Sequence, residues 1–238
     1  MILYLVSTIN PGCSTELQAD QQERHLSAIK IVPRGSESLP RLFYYSGKAG
    51  YSVGRSLIYL KPISQEKYKS KLSQWIQNET LLDICNLDDK RIDNLLDDII
   101  KTSHSGSMIK AYASTLEALG DYFRRKGISK VGKSKVFGVV SGAEMLSDEV
   151  RDAISKVFQC RCYSRYSNQE NGIIGQDDEE SNVFILNEAH YIVEIFKIDG
   201  DELAADGEVG RIVVTDLYNY AMPMIHYDTG DIGSIVYI

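Results

Sequence analysis
The chain has 238 residues, 43% of them hydrophobic and 25% charged, with a formal net charge of −7 and a sequence pI near 5.2. This is enough apolar material for a large buried core, and the acidic balance excludes a nucleic-acid partner, whose backbone calls for concentrated Lys and Arg to displace counterions. No apolar run spans a membrane, and Met1–Val6 is too short and too uncharged at its start for a signal peptide, so the sequence reads as cytoplasmic.

Met1–Val6 is expected to form a buried strand, followed by a turn-rich loop, Ser7–Thr15. Such a loop either gathers N–H groups and hydroxyls around a phosphate or simply connects. Leu17–Val32 is polar and helix-compatible, and Pro33–Pro40 has loop composition. Ser46–Gly50 lacks the spacing of a phosphate-binding loop and reads as a turn; Gly50–Arg55 then feeds a strand, Leu57–Leu60. Ser64–Ile76 is predicted helical, capped by Ser64, with Tyr68, Leu72, Trp75 and Ile76 on one buried face. A second helix, Leu87–Thr102, carries the stripe Ile92, Leu95, Leu96, Ile99 and Ile100 behind acidic Asp88 and Asp89. Ser103–Ser107 reads as the capped entry to a third, Met108–Arg125, in which Met108, Tyr112, Leu116, Leu119 and Phe123 recur at helical spacing; no nucleophile elbow accompanies its serines.

Val136–Ser141, Ser147–Phe158 and Gln159–Tyr163 read as strand, helix and strand, a parallel crossover with Ser147 as N-cap. The loop Gly142–Leu146 falls at a strand's C-terminal end, where open α/β sheets hold ligands, and Gly142 and Ala143 leave room for a flat ring. The four cysteines Cys13, Cys85, Cys160 and Cys162 lack metal-ligand spacing and read as reduced hydrophobes. Ser164–Gly172 reads as a loop, and Gln176–Ser181 as a solvated acidic turn. Asn182–Asn187, Tyr191–Lys197 and Gly210–Thr215 are expected to form an antiparallel meander, with His190 structural at a strand start. Pro223 then leads into a loop that crowds Tyr227, Asp228, Thr229, Gly230 and Asp231 together. Thr and Gly ahead of Asp turn the backbone sharply and set a carboxylate whose two oxygens accept from two neighbouring hydroxyls, as a ribose presents; the alternative is a surface turn whose Asp caps its own backbone.

Pro223–Asp231, reading PMIHYDTGD, resembles the P-[LM]-I-R-Y-x-[TI]-G-D segment of the adenylate-forming enzymes, most closely their phenylacetate–CoA ligase and capsule-biosynthesis branch. By this resemblance Asp231 holds the ATP ribose, while His226 stands at the usual Arg. Gly142, Ala143 and Glu144 match the G-[AG]-E-x-L loop beside the adenine. Tyr166 takes the aromatic place of Y-G-x-T-E and stacks on adenine, Glu170 binds Mg²⁺, and Gln169 replaces the Thr that contacts the α-phosphate. Ser7, Thr8 and Gly12 align with the pyrophosphate loop, in which Ile9 replaces a glycine and Pro11 removes a donor. Ile109, Tyr112, Ser114 and Leu116 match the family's I-x-x-Y-x-S-x-L segment.

The resemblance implies an α/β fold, the large-domain core of the adenylate-forming enzymes, with a mixed sheet, flanking helices and a late antiparallel β meander. Residues 1–238 would be a partial N-terminal AMP-binding domain, without the family's preceding segment and its small C-terminal domain bearing the catalytic Lys. The implied reaction activates a small carboxylic acid, an aryl or arylacetic acid by the branch's habit, on the α-phosphate of MgATP; CoA then captures the acyl group. ATP, Mg²⁺ and CoA are the expected cofactors, and a protein partner or oligomer is expected over surfaces the missing domains would cover. The alternative is a catalytically inactive, nucleotide-binding remnant of the family.

Overall fold
The computed structural model describes residues 3–6, 38–63, 70–127, 131–178 and 183–237. The expected phosphate loop with Ser7, Thr8 and Gly12, the helix Leu17–Val32, Ser64, Tyr68 and Cys13 lie outside the described residues. The chain divides into two compact units, Glu37–Tyr166 and a second made of Met1–Ser36 with Ser167–Ile238. No helix among the described residues is long and apolar enough to cross a membrane.

Strand β1 (Leu3–Val6) belongs to the second unit. The first unit contains α1 (Ser38–Lys48), β2 (Ser56–Lys61), α2 (Lys71–Ile76), β3 (Glu79–Asp83), α3 (Asp89–Thr102), β4 (Ser107–Tyr112), α4 (Ala113–Lys126), β5 (Val136–Gly142), α5 (Asp148–Phe158) and most of β6 (Cys162–Asn168). Its strands are parallel in the order β3-β2-β4-β5-β6. Alternate residues Ile58, Leu60, Ile109, Ala111, Val139 and Cys162 share a buried core with the apolar stripes of α3, α4 and α5. On the other face Met108, Val140 and Tyr163 pack with Ala49, which follows α1. This approach is close: a Cβ added to Gly138 would stand 2.3 Å from the Ala49 carbonyl oxygen.

Helix α5 starts where its expected cap, Ser147, places it, whereas α3 starts at Asp89, two residues after the expected Leu87, with Asp88 as its cap. Asp88 accepts from Arg91 N at 2.7 Å and Ser147 from Val150 N at 3.4 Å. Other boundaries differ. Met108–Tyr112 is a parallel strand, not the first turns of a helix; apolar neighbours on both faces erase the alternation that would have marked it. Ser103–Ser105 is a 3₁₀ turn ahead of it. Ser46–Lys48, read as a turn, and Ser38–Pro40, read as loop, belong to α1. Helix α2 is short, capped by Ser70, and buries nothing: Leu72, Trp75 and Ile76, expected inside, are 66%, 79% and 69% exposed.

The second unit adds β7 (Gly172–Asp177), β8 (Phe184–Leu186), β9 (Tyr191–Phe196), β10 (Gly210–Asp216) and β11 (Tyr227–Tyr237). They are antiparallel with β1 in the order β7-β8-β1-β11-β10-β9. Of the expected meander, Tyr191–Lys197 and Gly210–Thr215 do pair, as β9 and β10, and continue into β11, but Asn182–Asn187 is corrected: β8 pairs with β7 and β1 instead of β9. Tyr191, Val193, Ile195, Ile212, Val214 and Ile235 are buried. The expected solvated turn at Gln176 is corrected: Gln176 and Asp177 are buried within β7. Likewise Ser164–Asn168 is strand rather than loop, and the strand begins at Cys162 rather than Gln159.

Candidate functional site
Asp231 sits in a strand rather than a free loop. Strand β11 pairs with β10 through Arg211↔Ile232 and Val213↔Asp228, so Ile212 alone faces Thr229, Gly230 and Asp231. The surplus bulges outward, and its shape is fixed by short-range bonds. Thr229 Oγ1 donates to Ile212 O at 3.0 Å and accepts from Asp231 N at 3.2 Å. Gly230 N donates to Asp228 Oδ1 at 2.9 Å. Gly230 has φ +79°, where a glycine carries no steric penalty. The TGD order is thus a bulge recipe: a hydroxyl to tie the edge, a glycine to turn, and an exposed carboxylate to present.

Glu170 reaches the same neighbourhood from the hairpin between β6 and β7. Asn171 anchors that turn: its N–H donates to Asn168 Oδ1 at 2.7 Å, its carbonyl accepts from the Tyr191 hydroxyl, and its amide contacts Met224 Sδ at 3.6 Å. Burial first, and then the charges of Glu170, Asp231 and Asp228, push the Tyr227 phenol above its ordinary range. The carboxylates of Glu170 and Asp231 therefore bear on one ring, while exposed Gln169 precedes Glu170 in the turn. Each carboxylate is of the donor type that Mg²⁺ or sugar hydroxyls require, and among the described residues no three His, Cys, Asp or Glu side chains gather into a metal cluster.

In the first unit, Gly142 ends β5 and has nothing within 4 Å of the position a Cβ would take. Ala143 follows at φ +73°, a left-handed conformation that exposes the backbone beside it. Glu144 is turned to the helix rather than outward: its Oε2 accepts from Ser114 N at 2.8 Å, at the start of α4. Tyr166 lies in β6, half-buried. Ile109 and Tyr112 belong to β4, whereas Ser114 and Leu116 belong to α4, so that segment spans a strand-to-helix junction.

Several supporting contacts carry no signal in the sequence. His226, at φ +49°, donates its backbone N–H to Thr215 Oγ1 at 3.0 Å, and its Nε2 lies 3.2 Å from Glu194 Oε2. His190 Nε2 lies 3.2 Å from Asp216 Oδ1, both buried, and its ring stacks on Tyr218 at 4.8 Å, in keeping with a structural role. Asp216 Oδ1 also accepts from Tyr218 N and Asn219 N at 3.0 and 3.1 Å, which fixes the exit of β10. Arg211 joins Asp228 beside the bulge. These partners are brought together by strand register, so spacing along the chain does not reveal them.

No family model matches the chain. It is 28% identical over 133 residues to the phenylacetate–coenzyme A ligase of Thermus thermophilus, covering 55% of this chain and 30% of that protein. It is 29% identical over 121 residues to the phenylacetate–coenzyme A ligase of Pseudomonas putida, covering 50% and 27%. Among solved structures, an open conformation of 2-hydroxyisobutyryl-CoA ligase in complex with 2-HIB-AMP and CoA superimposes with a TM-score of 0.58 at 14% identity, over 78% of this chain and 44% of the other. ATP-bound MatB from Rhodopseudomonas palustris gives 0.56 at 11% identity, over 83% and 40%. The chain thus spans under a third of the length of these curated relatives and under half of the solved chains. The fold is that of the adenylate-forming CoA ligases.

Proposed function
We propose that this chain, with the fold of the adenylate-forming CoA ligases and sequence kinship to phenylacetate–CoA ligase over half its length, binds MgATP as part of a ligase that activates a small carboxylic acid. The acid's carboxylate oxygen attacks the α-phosphorus and pyrophosphate leaves; the CoA thiol, losing its proton, then attacks the acyl carbon of the acyl-AMP, the acyl–phosphate C–O bond breaks and AMP leaves. An aryl or arylacetic acid is the substrate class that the kinship favours. The observation that carries this reading is the TGD bulge, which presents Asp231 while Glu170 bears on the same tyrosine, Tyr227. Asp231 takes the ribose hydroxyl pair and Glu170 holds the magnesium, whose charge offsets that of the phosphates. Gly142, Ala143 and Tyr166 receive the adenine, Glu144 fixes their loop, and Gln169 offers an amide to the α-phosphate. Ser7, Thr8 and Gly12 are assigned to the pyrophosphate by resemblance alone. As in any such transfer, positioning and electrostatics supply the rate. The chain acts as a large AMP-binding domain, and the proposed setting is the cytoplasm.

Calorimetric titration with MgATP tests this reading. Binding by the native chain, lost in Asp231→Ala and stripped of its magnesium dependence in Glu170→Ala, supports it; absence of binding in the native chain overturns it. A second reading, nucleotide binding without turnover, is favoured by Gln169 in place of Thr and by His226, whose ring is engaged with Glu194. Binding without acid-dependent exchange of pyrophosphate into ATP would select it.

A further inference from the structure
We propose that Arg211 is a positioning residue for the nucleotide's ribose: acting through Asp228, it sets the shape of the bulge from which Asp231 projects. The inference rests on the ribose role proposed for Asp231.

Arg211 lies in β10 opposite Ile232, the residue after Asp231. Its guanidinium is engaged on every nitrogen. Nη1 bonds Asp228 Oδ2; Nη2 donates to Gly200 O at 2.7 Å and to Asp201 Oδ1 at 3.3 Å; Nε donates to Lys197 O at 3.3 Å. Four acceptors from three directions leave a planar fork one orientation, which an ammonium on a flexible stem would not reproduce.

Asp228 divides its two oxygens. Oδ2 takes Arg211, and Oδ1 accepts from Gly230 N at 2.9 Å. A relay therefore runs from a braced guanidinium, through one carboxylate, to the backbone N–H immediately before Asp231. Asp228 is 40% exposed at its side chain, so without Arg211 it would turn to water and release Gly230 N. Gly230 is the residue in the bulge whose backbone has most freedom, and an untied glycine would let the Asp231 carboxylate wander. The second tie, through Thr229 to Ile212, remains in that case, and so does the pairing of β10 with β9 and β11. Loss of Arg211 should thus loosen the presentation of Asp231 and leave the sheet standing.

The test compares affinity for MgATP with that for the magnesium complex of 2′,3′-dideoxy-ATP, which lacks the hydroxyl pair, by calorimetry on the full chain. The native protein should prefer ATP by about tenfold or more, the effect of two hydrogen bonds to a charged acceptor. In Arg211→Met the preference should fall to about twofold while dideoxy-ATP affinity stays put. Asp228→Ala should act alike, and because it leaves the Lys197–Asp201 contacts alone it decides the matter if the arginine variant fails to fold. Asp228→Asn, whose single amide oxygen cannot serve both Gly230 N and the Arg211 guanidinium, should also weaken the preference. If both Arg211→Met and Asp228→Ala keep the native preference, or lose both ligands equally, the positioning role is overturned. If the native protein does not distinguish the two nucleotides, the ribose role of Asp231 falls first and the inference with it.

Discussion
Glu144 Oε2 accepts a hydrogen bond from Ser114 N at 2.8 Å, across thirty residues of sequence. The acidic residue of the loop after β5 thereby caps α4, whose preceding residue, Tyr112, offers no side-chain acceptor. One carboxylate does two things: it satisfies a first-turn N–H that would otherwise need water, and it holds the Gly142–Ala143 backbone in place.

Replacing Glu144 with Ala should cost about 1 kcal/mol, as loss of an N-cap does, and lower the melting temperature by about 2–4 °C. Thermal unfolding followed by circular dichroism reads this. An unchanged midpoint would mean that the contact adds nothing to the fold.

Among the glycines of the first unit Gly138 has the closest approach, with the Ala49 carbonyl oxygen 2.3 Å from where a Cβ would stand. That oxygen is backbone, so relief requires the chain itself to move. Gly138→Ala should destabilise by about 2–4 kcal/mol, read as a lower urea midpoint. Gly142→Ala, four residues on, meets open space and should leave the midpoint unchanged. A native-like midpoint for Gly138→Ala would refute the close approach.

Much of this was legible where the signal is local. Ser147 announces its helix because the residue that caps it stands directly before the first turn, and α3 is marked by a stripe, Ile92, Leu95, Leu96 and Ile99, that recurs at helical spacing. The parallel crossover of β5, α5 and β6 followed from strand and helix alternating at the right lengths. Illegible were the features made by distant chain. Helix α4 takes its cap from Glu144, so nothing at its own start marks it, and Ser107 offered a false one while Met108 and Tyr112 fell by accident on a helical spacing. The TGD segment was recognisable as an unusual turn, but not as a bulge, because a bulge exists only relative to the partner strand; Ile212 and Arg211 lie seventeen residues from Thr229 and Asp228. Trp75 shows the opposite failure. Its periodic stripe is real, yet α2 turns it outward.

Cysteine chemistry separates two environments. Burial pushes the Cys160 thiol up to about 12, and Cys162 is fully buried within β6, whereas Cys85 is exposed. The thiolate is the reacting species, so at pH 8 Cys160 should alkylate roughly a thousandfold more slowly than a thiol of ordinary pKa. Iodoacetamide followed by peptide mass spectrometry should find Cys85 labelled and Cys160 and Cys162 spared until denaturant is added. Early labelling of Cys160 would contradict its burial.

Asp83 gives the chain an acid-side dependence whose sign follows from its surroundings. Burial alone would raise its pKa, but the hydrogen bonds from Cys85 and from Ile63 N, together with the charge of Arg91, outweigh this and hold the carboxyl below its usual value. The geometry agrees: Oδ1 accepts from Ile63 N at 3.1 Å and Cys85 N at 3.2 Å, and Oδ2 from Arg91 Nη2 at 3.1 Å. These bonds tie the end of β3 to the segment after β2 and to α3. A folded pKa below the unfolded one, near about 3.9, means that the stabilisation is fully present above that value and is lost as pH falls through the folded pKa. Asp83→Asn keeps the Oδ1 acceptor and removes the charge facing Arg91, so the native chain should exceed the variant by about 0.5–1 kcal/mol above pH 5. Urea unfolding of both proteins from about pH 2.5 to 7 should show that gap shrinking only below about pH 4. A gap that holds constant to the acid end would show that Asp83 gains nothing from its charge, leaving the backbone N–H groups of Ile63 and Cys85, rather than Arg91, to join β3 to its neighbours.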